Sequence, residues 1–171
     1  MSTTDELIAA NTGYAERFTL GDLPLPPARK IAIVTCMDAR LIPSRALGLE
    51  EGDAHVIRNA GGLARDALRS LVISQQLLGT REIVVIHHTG CGMLTFTNEQ
   101  LHRKVREDLG ADASSIDFQP FPDLEQSVVD DVRFLRESPL LLEGVPVRGF
   151  VYDVHTGRLT EVQVPAAVGV A

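Results

Sequence analysis

Residues 30–40 read Lys30-Ile31-Ala32-Ile33-Val34-Thr35-Cys36-Met37-Asp38-Ala39-Arg40. The first six form a nearly continuous apolar run of strand length, which is typical of a strand buried on both faces, as in a parallel sheet. The run ends at a thiol, a carboxylate and a guanidinium. A buried strand that leads directly into chemically active side chains places this segment at the centre of the predicted fold.

The same pattern recurs along the chain and alternates with segments of helical period. We predict strands at Lys30–Thr35, Ala54–Arg58, Glu82–Ile86 and Val147–Asp153, and helices at Asp5–Phe18, Leu63–Leu78, Asn98–Leu109 and Asp123–Glu137. Leu159–Val164 is compatible with a C-terminal antiparallel strand. Such alternation predicts an α/β fold with a mostly parallel four-stranded sheet, strand order 2-1-3-4, flanked by helices.

Three prolines between Gly21 and Pro27 separate the first helix from the remainder of the chain. We therefore predict an N-terminal helix and proline-rich arm over residues 1–27, with Thr4 as the helix N-cap. We expect residues 28–171 to form a single α/β domain that carries the chemically active side chains. An arm of this kind is poorly anchored on one subunit, so it is expected to pack on a partner subunit, or else to fold back on its own domain.

Composition narrows the function classes. The 171 residues carry a formal net charge of -7 and no basic stripe, which argues against nucleic acid as a partner. No apolar run approaches the ~20 residues that span a bilayer, and the N-terminal residues lack a signal-peptide pattern. We expect a cytoplasmic protein without membrane contact. In a reducing compartment, two cysteines are more often metal-binding or catalytic than disulfide-bonded.

Cys36, His88 and Cys91 each follow a predicted strand. The carboxyl ends of neighbouring parallel strands meet where the strand order reverses, so these side chains are expected to converge. Two thiolates and an imidazole are a typical zinc set, and three protein ligands leave a fourth position for water. Zinc lowers the pKa of such a water to ~7, which yields zinc-bound hydroxide at neutral pH.

Asp38 and Arg40 lie two positions apart, so in extended chain their side chains point the same way. A guanidinium can grip a carboxylate with two hydrogen bonds and keep it ionised. The sequence leaves two roles open for Asp38. It either accepts a proton in a hydrogen bond from the zinc-bound water, or it binds zinc as a fourth ligand in a closed form.

These residues resemble a known family. Cys36-Met37-Asp38-Ala39-Arg40, followed by His88-Thr89-Gly90-Cys91-Gly92, is similar to the signature of the β-class carbonic anhydrases. Arg58-Asn59-Ala60-Gly61-Gly62 resembles a loop of the same family. The likeness spans roughly residues 31–94, with weaker agreement to about residue 154, and it is greatest to a compact actinobacterial subgroup.

The resemblance implies reversible hydration of carbon dioxide to bicarbonate and one Zn2+ per subunit. It assigns Cys36, His88 and Cys91 as ligands and Asp38 with Arg40 as the acid–base dyad. It also implies a homodimer or larger homo-oligomer in which N-terminal helices embrace the neighbouring subunit. Hydrolysis of carbonyl sulfide or CS2 at the same zinc and a catalytically silent zinc protein are the alternatives.

Four neighbouring features receive simpler interpretations. His87 alternates with His88 and is expected to pack or hydrogen-bond behind the site, whereas we expect His55, His102 and His155 at the surface. Arg58 is expected to pair with a carboxylate rather than to act on substrate. Gly61 and Gly62 are expected to be turn residues. Gly90 stands where many compact family members carry Asp, which changes the charge expected near zinc.

Overall fold

The structure is a computed structural model that describes residues 2–165. The helices are α1 (Thr3–Ala15), α2 (Pro43–Leu47), α3 (Ala64–Leu78), α4 (Asn98–Leu109) and α5 (Leu124–Arg136). The strands are β1 (Ile31–Cys36), β2 (Ala54–Asn59), β3 (Glu82–His88), β4 (Val147–Tyr152) and β5 (Leu159–Val162). Single 3-10 turns cover Ala60–Gly62 and Gly92–Leu94. The last six residues of the predicted 28–171 domain lie outside the described residues.

The five strands form one sheet in the order β2-β1-β3-β4-β5. The first four are parallel, and β5 returns antiparallel to β4. The predicted α/β class, the order 2-1-3-4 and the antiparallel C-terminal strand are therefore confirmed. The prediction ended β1 and β3 too early, because Cys36 and both His87 and His88 belong to the strands themselves.

The main core lies between one face of the sheet and helices α3 and α5. Buried side chains of β1, β3 and β4 pack there against Leu71, Val128, Val132 and Leu135. A Cβ at Gly149 of β4 would lie 2.4 Å from Val128 and 2.8 Å from Val132, so this glycine allows α5 to lie directly on the strand. This packing holds the sheet in place and leaves the carboxyl ends of its parallel strands available to form the site.

Helix α1 begins two residues and ends three residues earlier than predicted, and its N-cap is Ser2 rather than Thr4. The hydroxyl of Ser2 accepts from the Asp5 amide at 3.2 Å, while the Asp5 carboxylate accepts from the Ser2 amide at 2.7 Å. This reciprocal pair is a capping box. None of the side chains in Thr3–Ala15 is buried, so in a single chain this helix gains no stability from packing.

Helix α2 was not predicted, because its five residues are too short to show a helical period. It begins at Pro43 and ends before Gly48, which adopts the left-handed conformation. Within the part of the chain that the structure describes, no helix is both long and apolar enough to cross a membrane.

Candidate metal centre

Three buried side chains meet at the carboxyl edge of the sheet. Cys36 is the last residue of β1, His88 is the last residue of β3, and Cys91 lies in the turn that follows. One nitrogen or sulfur atom from each side chain lies within 4.8 Å of the other two. The predicted convergence is correct, although 52 positions separate the first two residues. Its cause is that β1 and β3 are neighbours in the sheet.

The imidazole of His88 is oriented for coordination. Its Nδ1 lies 2.9 Å from the carbonyl of Thr89. A carbonyl only accepts hydrogen bonds, so Nδ1 carries the proton and Nε2 keeps a free lone pair. Nε2 is buried and has no hydrogen-bond partner among the described residues. A buried nitrogen without a partner costs free energy, which a metal ion removes. Two sulfurs and this nitrogen fit zinc.

The two thiols share a single environment. The adjacent Cys91 thiol lowers the pKa of Cys36 to about 4. The hydrogen bond with Cys36 raises the pKa of the Cys91 thiol, and burial raises it further. The two pKa shifts run in opposite directions because each thiol acts on the other. A divalent cation would allow both sulfurs to ionise, which is the state that zinc binds.

Asp38 and Arg40 form the ion pair that their spacing predicts. Arg40 Nε donates to Oδ1 of Asp38 at 2.9 Å, and Nη2 donates to Oδ2 at 2.7 Å. These hydrogen bonds hold the pKa of Asp38 well below its usual range. Oδ2 lies 3.7 Å from Nε2 of His88. An ionised carboxylate in a fixed orientation therefore stands beside the three candidate ligands.

Gly90 connects the ion pair to the turn that carries Cys91. Its carbonyl accepts from Nη2 of Arg40 at 3.0 Å, and its φ of +61° favours glycine. A Cβ here would lie 3.8 Å from Nη1 of Arg40. A carboxylate at this position would compete with Asp38 for the guanidinium, so glycine leaves Arg40 to Asp38.

The expectation that Arg58 pairs with a carboxylate is wrong: within residues 2–165 it has no carboxylate partner, and it supports the loop that follows β1 instead. Its Nε donates to the carbonyl of Cys36 at 3.0 Å, and its Nη2 donates to the carbonyl of Asp38 at 2.7 Å. The carbonyl of Asn59 accepts from the Met37 amide at 2.8 Å. The end of β2 therefore holds the backbone on both sides of Met37. This supporting role follows from the pairing of β1 with β2, in which Thr35 lies opposite Arg58. The sequence alone does not show that register.

Gly62 is a turn residue with a more specific requirement than predicted. It has a φ of +73°, and a Cβ would lie 2.8 Å from both the amide nitrogen of Cys36 and the carbonyl carbon of Thr35. Backbone atoms cannot yield as a flexible side chain can. Glycine therefore allows the turn after β2 to touch the strand end that carries Cys36.

His87 lies behind the site, as predicted, and contacts two residues that the sequence did not single out. Nδ1 lies 2.7 Å from Ser127 Oγ and Nε2 lies 3.2 Å from Asp131 Oδ2. The sequence signal for them is a pair of polar residues, four apart, beside the apolar stripe of α5.

The other three histidines were expected at the surface. His155 is exposed, as predicted. His55 and His102 are half-buried: His55 forms a hydrogen bond with Ser74, and His102 forms one with the carbonyl of Ile116.

Known proteins resemble this chain over the segment that carries the candidate metal ligands. The family model described as carbonic anhydrase matches residues 31–159. "Beta-carbonic anhydrase 1" of Mycobacterium bovis is 48% identical over 163 residues, which cover 95% of this chain and 99% of that protein. The crystal structure of a carbonic anhydrase from Streptococcus mutans has a TM-score of 0.91 at 51% identity, covering 95% of this chain and 99% of that one.

A second group of relatives carries another name. "Carbon disulfide hydrolase" of an Acidianus species is 35% identical over 170 residues, which cover 85% of this chain and 82% of that protein. This identity is lower than that of the mycobacterial protein. On its sequence, its fold and its cluster of two cysteines and one histidine, this chain belongs to the β-carbonic anhydrase family.

Proposed function

We propose that this protein catalyses the reversible hydration of carbon dioxide to bicarbonate at one zinc ion per subunit, held by Cys36, His88 and Cys91. The observation that carries the proposal is Nε2 of His88, which is buried without a hydrogen-bond partner in the described part of the chain, while two sulfurs lie within 4.8 Å. Zinc bound there acts as a Lewis acid, which makes water a nucleophile at neutral pH. The names of the relatives at 48% and 51% identity support this activity.

Asp38 is the proposed proton acceptor. Its Oδ2 faces the metal-binding nitrogen of His88 at 3.7 Å, so a water between the ligands and the carboxylate can donate a hydrogen bond to it. That hydrogen bond orients the water's lone pair toward carbon dioxide. Arg40 has a positioning role, because its two hydrogen bonds hold the carboxylate ionised and fixed.

The geometry favours an open fourth position over ligation by Asp38. Both carboxylate oxygens already accept hydrogen bonds from Arg40, and Oδ1 also accepts from the Arg40 amide at 2.9 Å. Movement of Asp38 onto the metal would break this arrangement and leave the guanidinium with only the Gly90 carbonyl. A closed form, in which Asp38 binds the metal, would therefore cost free energy. This cost favours an open fourth position, and hence an enzyme, over a catalytically silent zinc protein.

Two measurements on the purified protein test the activity. Metal analysis is expected to find about one zinc per chain, the ion count that three protein ligands support. Stopped-flow detection of proton release is expected to show carbon dioxide hydration that a zinc chelator abolishes and added zinc restores. A fully zinc-loaded protein without hydration activity between about pH 6 and pH 9 would contradict the proposal.

Hydrolysis of carbon disulfide is the second candidate, because relatives with that name share 35% identity with this chain. The zinc chemistry would be the same, and only the pocket would select the substrate. Sulfide release from CS2 and from carbonyl sulfide is assayed beside carbon dioxide hydration on the same zinc-loaded sample. If kcat/KM for sulfide release exceeds kcat/KM for carbon dioxide hydration, CS2 or carbonyl sulfide is the preferred substrate and the proposal of carbon dioxide is contradicted.

We further propose that the arm, residues 1–27, packs on a partner subunit to form a homodimer or a larger homo-oligomer. Helix α1 and the segment after it expose Leu7, Ile8, Tyr14 and Phe18 in the single chain. Burial of these apolar side chains supplies a reason for a second copy to bind. Light scattering of Leu7→Glu with Ile8→Glu is expected to show a smaller assembly than the wild type; an unchanged mass would contradict the arm's role.

The proposed location is the cytoplasm. Two buried cysteines that bind zinc must remain reduced, and cytoplasmic glutathione and thioredoxin keep thiols in that state. Fractionation of source cells with an antibody against the protein tests this location. Recovery outside the cytoplasmic fraction would contradict it.

A further inference from the structure

We propose that His87 is a positioning residue for the metal centre. It fastens the carboxyl end of β3 to α5 and to the first turn of α3, and in this way it fixes the point at which His88 presents Nε2. The inference rests on the proposed function, because it takes His88 as a zinc ligand.

The backbone alone leaves this strand end incompletely held. Pairing between β1 and β3 stops at Thr35 and Ile86. Pairing between β3 and β4 continues through His87 and His88. The last two residues of β3 therefore have a strand partner on one side only. A ligand in such a position needs a further constraint if it is to meet two sulfurs from other segments.

The side chain of His87 supplies that constraint. Nδ1 of His87 lies 2.7 Å from the hydroxyl of Ser127, and this hydroxyl also lies 2.7 Å from the carbonyl of Leu124. On the other side of the ring, Nε2 lies 3.2 Å from Oδ2 of Asp131. Both contacts lead from β3 into the buried face of α5, and His87 itself is fully buried.

The same carboxylate extends the connection to a third element. Oδ2 of Asp131 also accepts from the amide of Ala64, the first residue of α3, at 2.9 Å. One oxygen thus links the start of α3, the middle of α5 and the end of β3. The amide of Ala64 and the ring of His87 both contact Oδ2 of Asp131. A displacement of α3 or α5 would therefore shift the end of β3, which carries His88.

A stacked aromatic pair completes the link to the cysteines. The ring of His87 lies 5.3 Å from that of Phe121, nearly parallel at 16°. Phe121 packs in the same buried cluster as Cys36 and Cys91, and its amide donates to the carbonyl of Met93 at 3.2 Å. His87 therefore contacts the buried cluster that contains Cys36 and Cys91.

The test measures zinc release rather than catalysis. The zinc-loaded full chain is mixed with excess pyridylazoresorcinol, and the first-order rate of zinc transfer is followed by absorbance. His87→Phe keeps the aromatic ring but removes both hydrogen bonds, and Ser127→Ala removes one. Loss of residues that orient a metal ligand typically lowers metal affinity by 10–100-fold. We expect His87→Phe to release zinc about tenfold faster, and Ser127→Ala to lie between it and the wild type.

The chain offers a matched control. Ser74 of α3 contacts the strand residue His55 at 2.7 Å, as Ser127 contacts His87, but this pair has no contact with the candidate ligands. Ser74→Ala thus removes a similar, part-buried serine–histidine hydrogen bond, together with the contact of Ser74 with the hydroxyl of Thr80 at 2.8 Å. It is expected to lower stability against urea as Ser127→Ala does, while the rate of zinc release stays at the wild-type value.

A second readout separates position from stability. In the cobalt-substituted protein, the visible absorption reports the geometry of the sulfur and nitrogen ligands, and it is expected to shift in His87→Phe but not in Ser74→Ala. If His87→Phe does not fold, Ser127→Ala alone decides the outcome. Zinc release and cobalt spectra equal to those of the control would overturn the inference.

Failure of the inference and failure of the proposed function remain distinguishable. A wild-type protein that retains zinc but does not hydrate carbon dioxide contradicts the proposed activity, while the zinc-release comparison still tests His87. An active enzyme whose His87 and Ser127 variants release zinc at the wild-type rate contradicts only the positioning role. A wild-type protein that binds no zinc overturns both.

Discussion

Oδ2 of Asp38, in the loop after β1, lies 3.7 Å from Nε2 of His88, the last residue of β3. The carboxylate is held by Arg40, while the imidazole nitrogen has no hydrogen-bond partner among residues 2–165. A metal ion would relieve the nitrogen and draw a water toward the carboxylate. This relationship leads to predictions on catalysis, pH dependence, metal retention and backbone geometry.

Asp38→Ala is expected to retain zinc and to lose most turnover. Removal of a group that accepts a proton lowers kcat by roughly 100-fold or more. Stopped-flow kinetics and metal analysis on the same sample measure both effects. Glu161→Ala is the control. Arg148 donates two hydrogen bonds to Glu161, at 2.8 and 2.7 Å, in the same geometry, but this ion pair lies away from the site. Wild-type turnover in Asp38→Ala would refute the proton-acceptor role.

Arg40→Gln is expected to reduce stability more at neutral pH than in acid. The hydrogen bonds from Arg40 lower the pKa of Asp38 in the folded state. A lowered carboxyl pKa stabilises the fold above the unfolded value of about 3.9, and the contribution is lost as the pH falls through the folded value. The difference from wild type should therefore shrink on acidification.

Urea unfolding of the metal-free proteins at about pH 7 and about pH 3, on either side of the ordinary Asp pKa, measures this difference. A lower urea midpoint for Arg40→Gln at neutral pH, converging with wild type in acid, is expected. A midpoint difference that grows as the pH falls would contradict the assigned direction of the Asp38 pKa.

Cys91→Ser is expected to abolish zinc retention through gel filtration. The hydroxyl of serine does not ionise at neutral pH, so the site loses one of its two sulfur ligands. The substitution nearly preserves volume, and folding is checked by circular dichroism. Retention of one zinc per chain in a folded Cys91→Ser protein would exclude Cys91 as a ligand.

Gly62→Ala is expected to destabilise the fold far more than Gly79→Ala. Both glycines have left-handed φ, +73° and +76°, but a Cβ at Gly79 meets nothing within 4 Å. Gly79→Ala therefore costs roughly 1–2 kcal/mol of backbone strain. At Gly62 the contact with the β1 backbone adds roughly 1–3 kcal/mol. Equal urea midpoints for the two variants would show that the turn yields without strain.

Arg58→Gln is expected to retain zinc and to lower kcat by about tenfold, because the loop that positions Asp38 loses two hydrogen bonds. Arg58→Lys can restore only one of them, so it should lie between Arg58→Gln and the wild type. Carbon dioxide hydration and zinc content are measured together. An unchanged kcat in Arg58→Gln would mean that the Asn59 carbonyl holds the loop without help.

Local sequence was sufficient for much of the fold. The apolar runs of β1 and β3 are long enough to require burial on both faces, and the helical periods between strands require connections that keep those strands parallel. The bounds of α4 were predicted without error, because Thr97 and Gly110 are strong cap residues. The start of α1 was missed, because Ser2 and Thr4 are equally good caps by type and only the Ser2–Asp5 contact distinguishes them.

The sequence by itself determined the chemistry of the site: two sulfurs, an imidazole and a carboxylate beside a guanidinium, each at the end of a strand or shortly after it. Only the tertiary structure decided how these groups are held, because hydrogen bonds between distant segments depend on strand register and helix packing. Arg58 reaches the carbonyls of Cys36 and Asp38 because β2 lies beside β1 in one register. His87 reaches Asp131 because α5 lies across the same sheet.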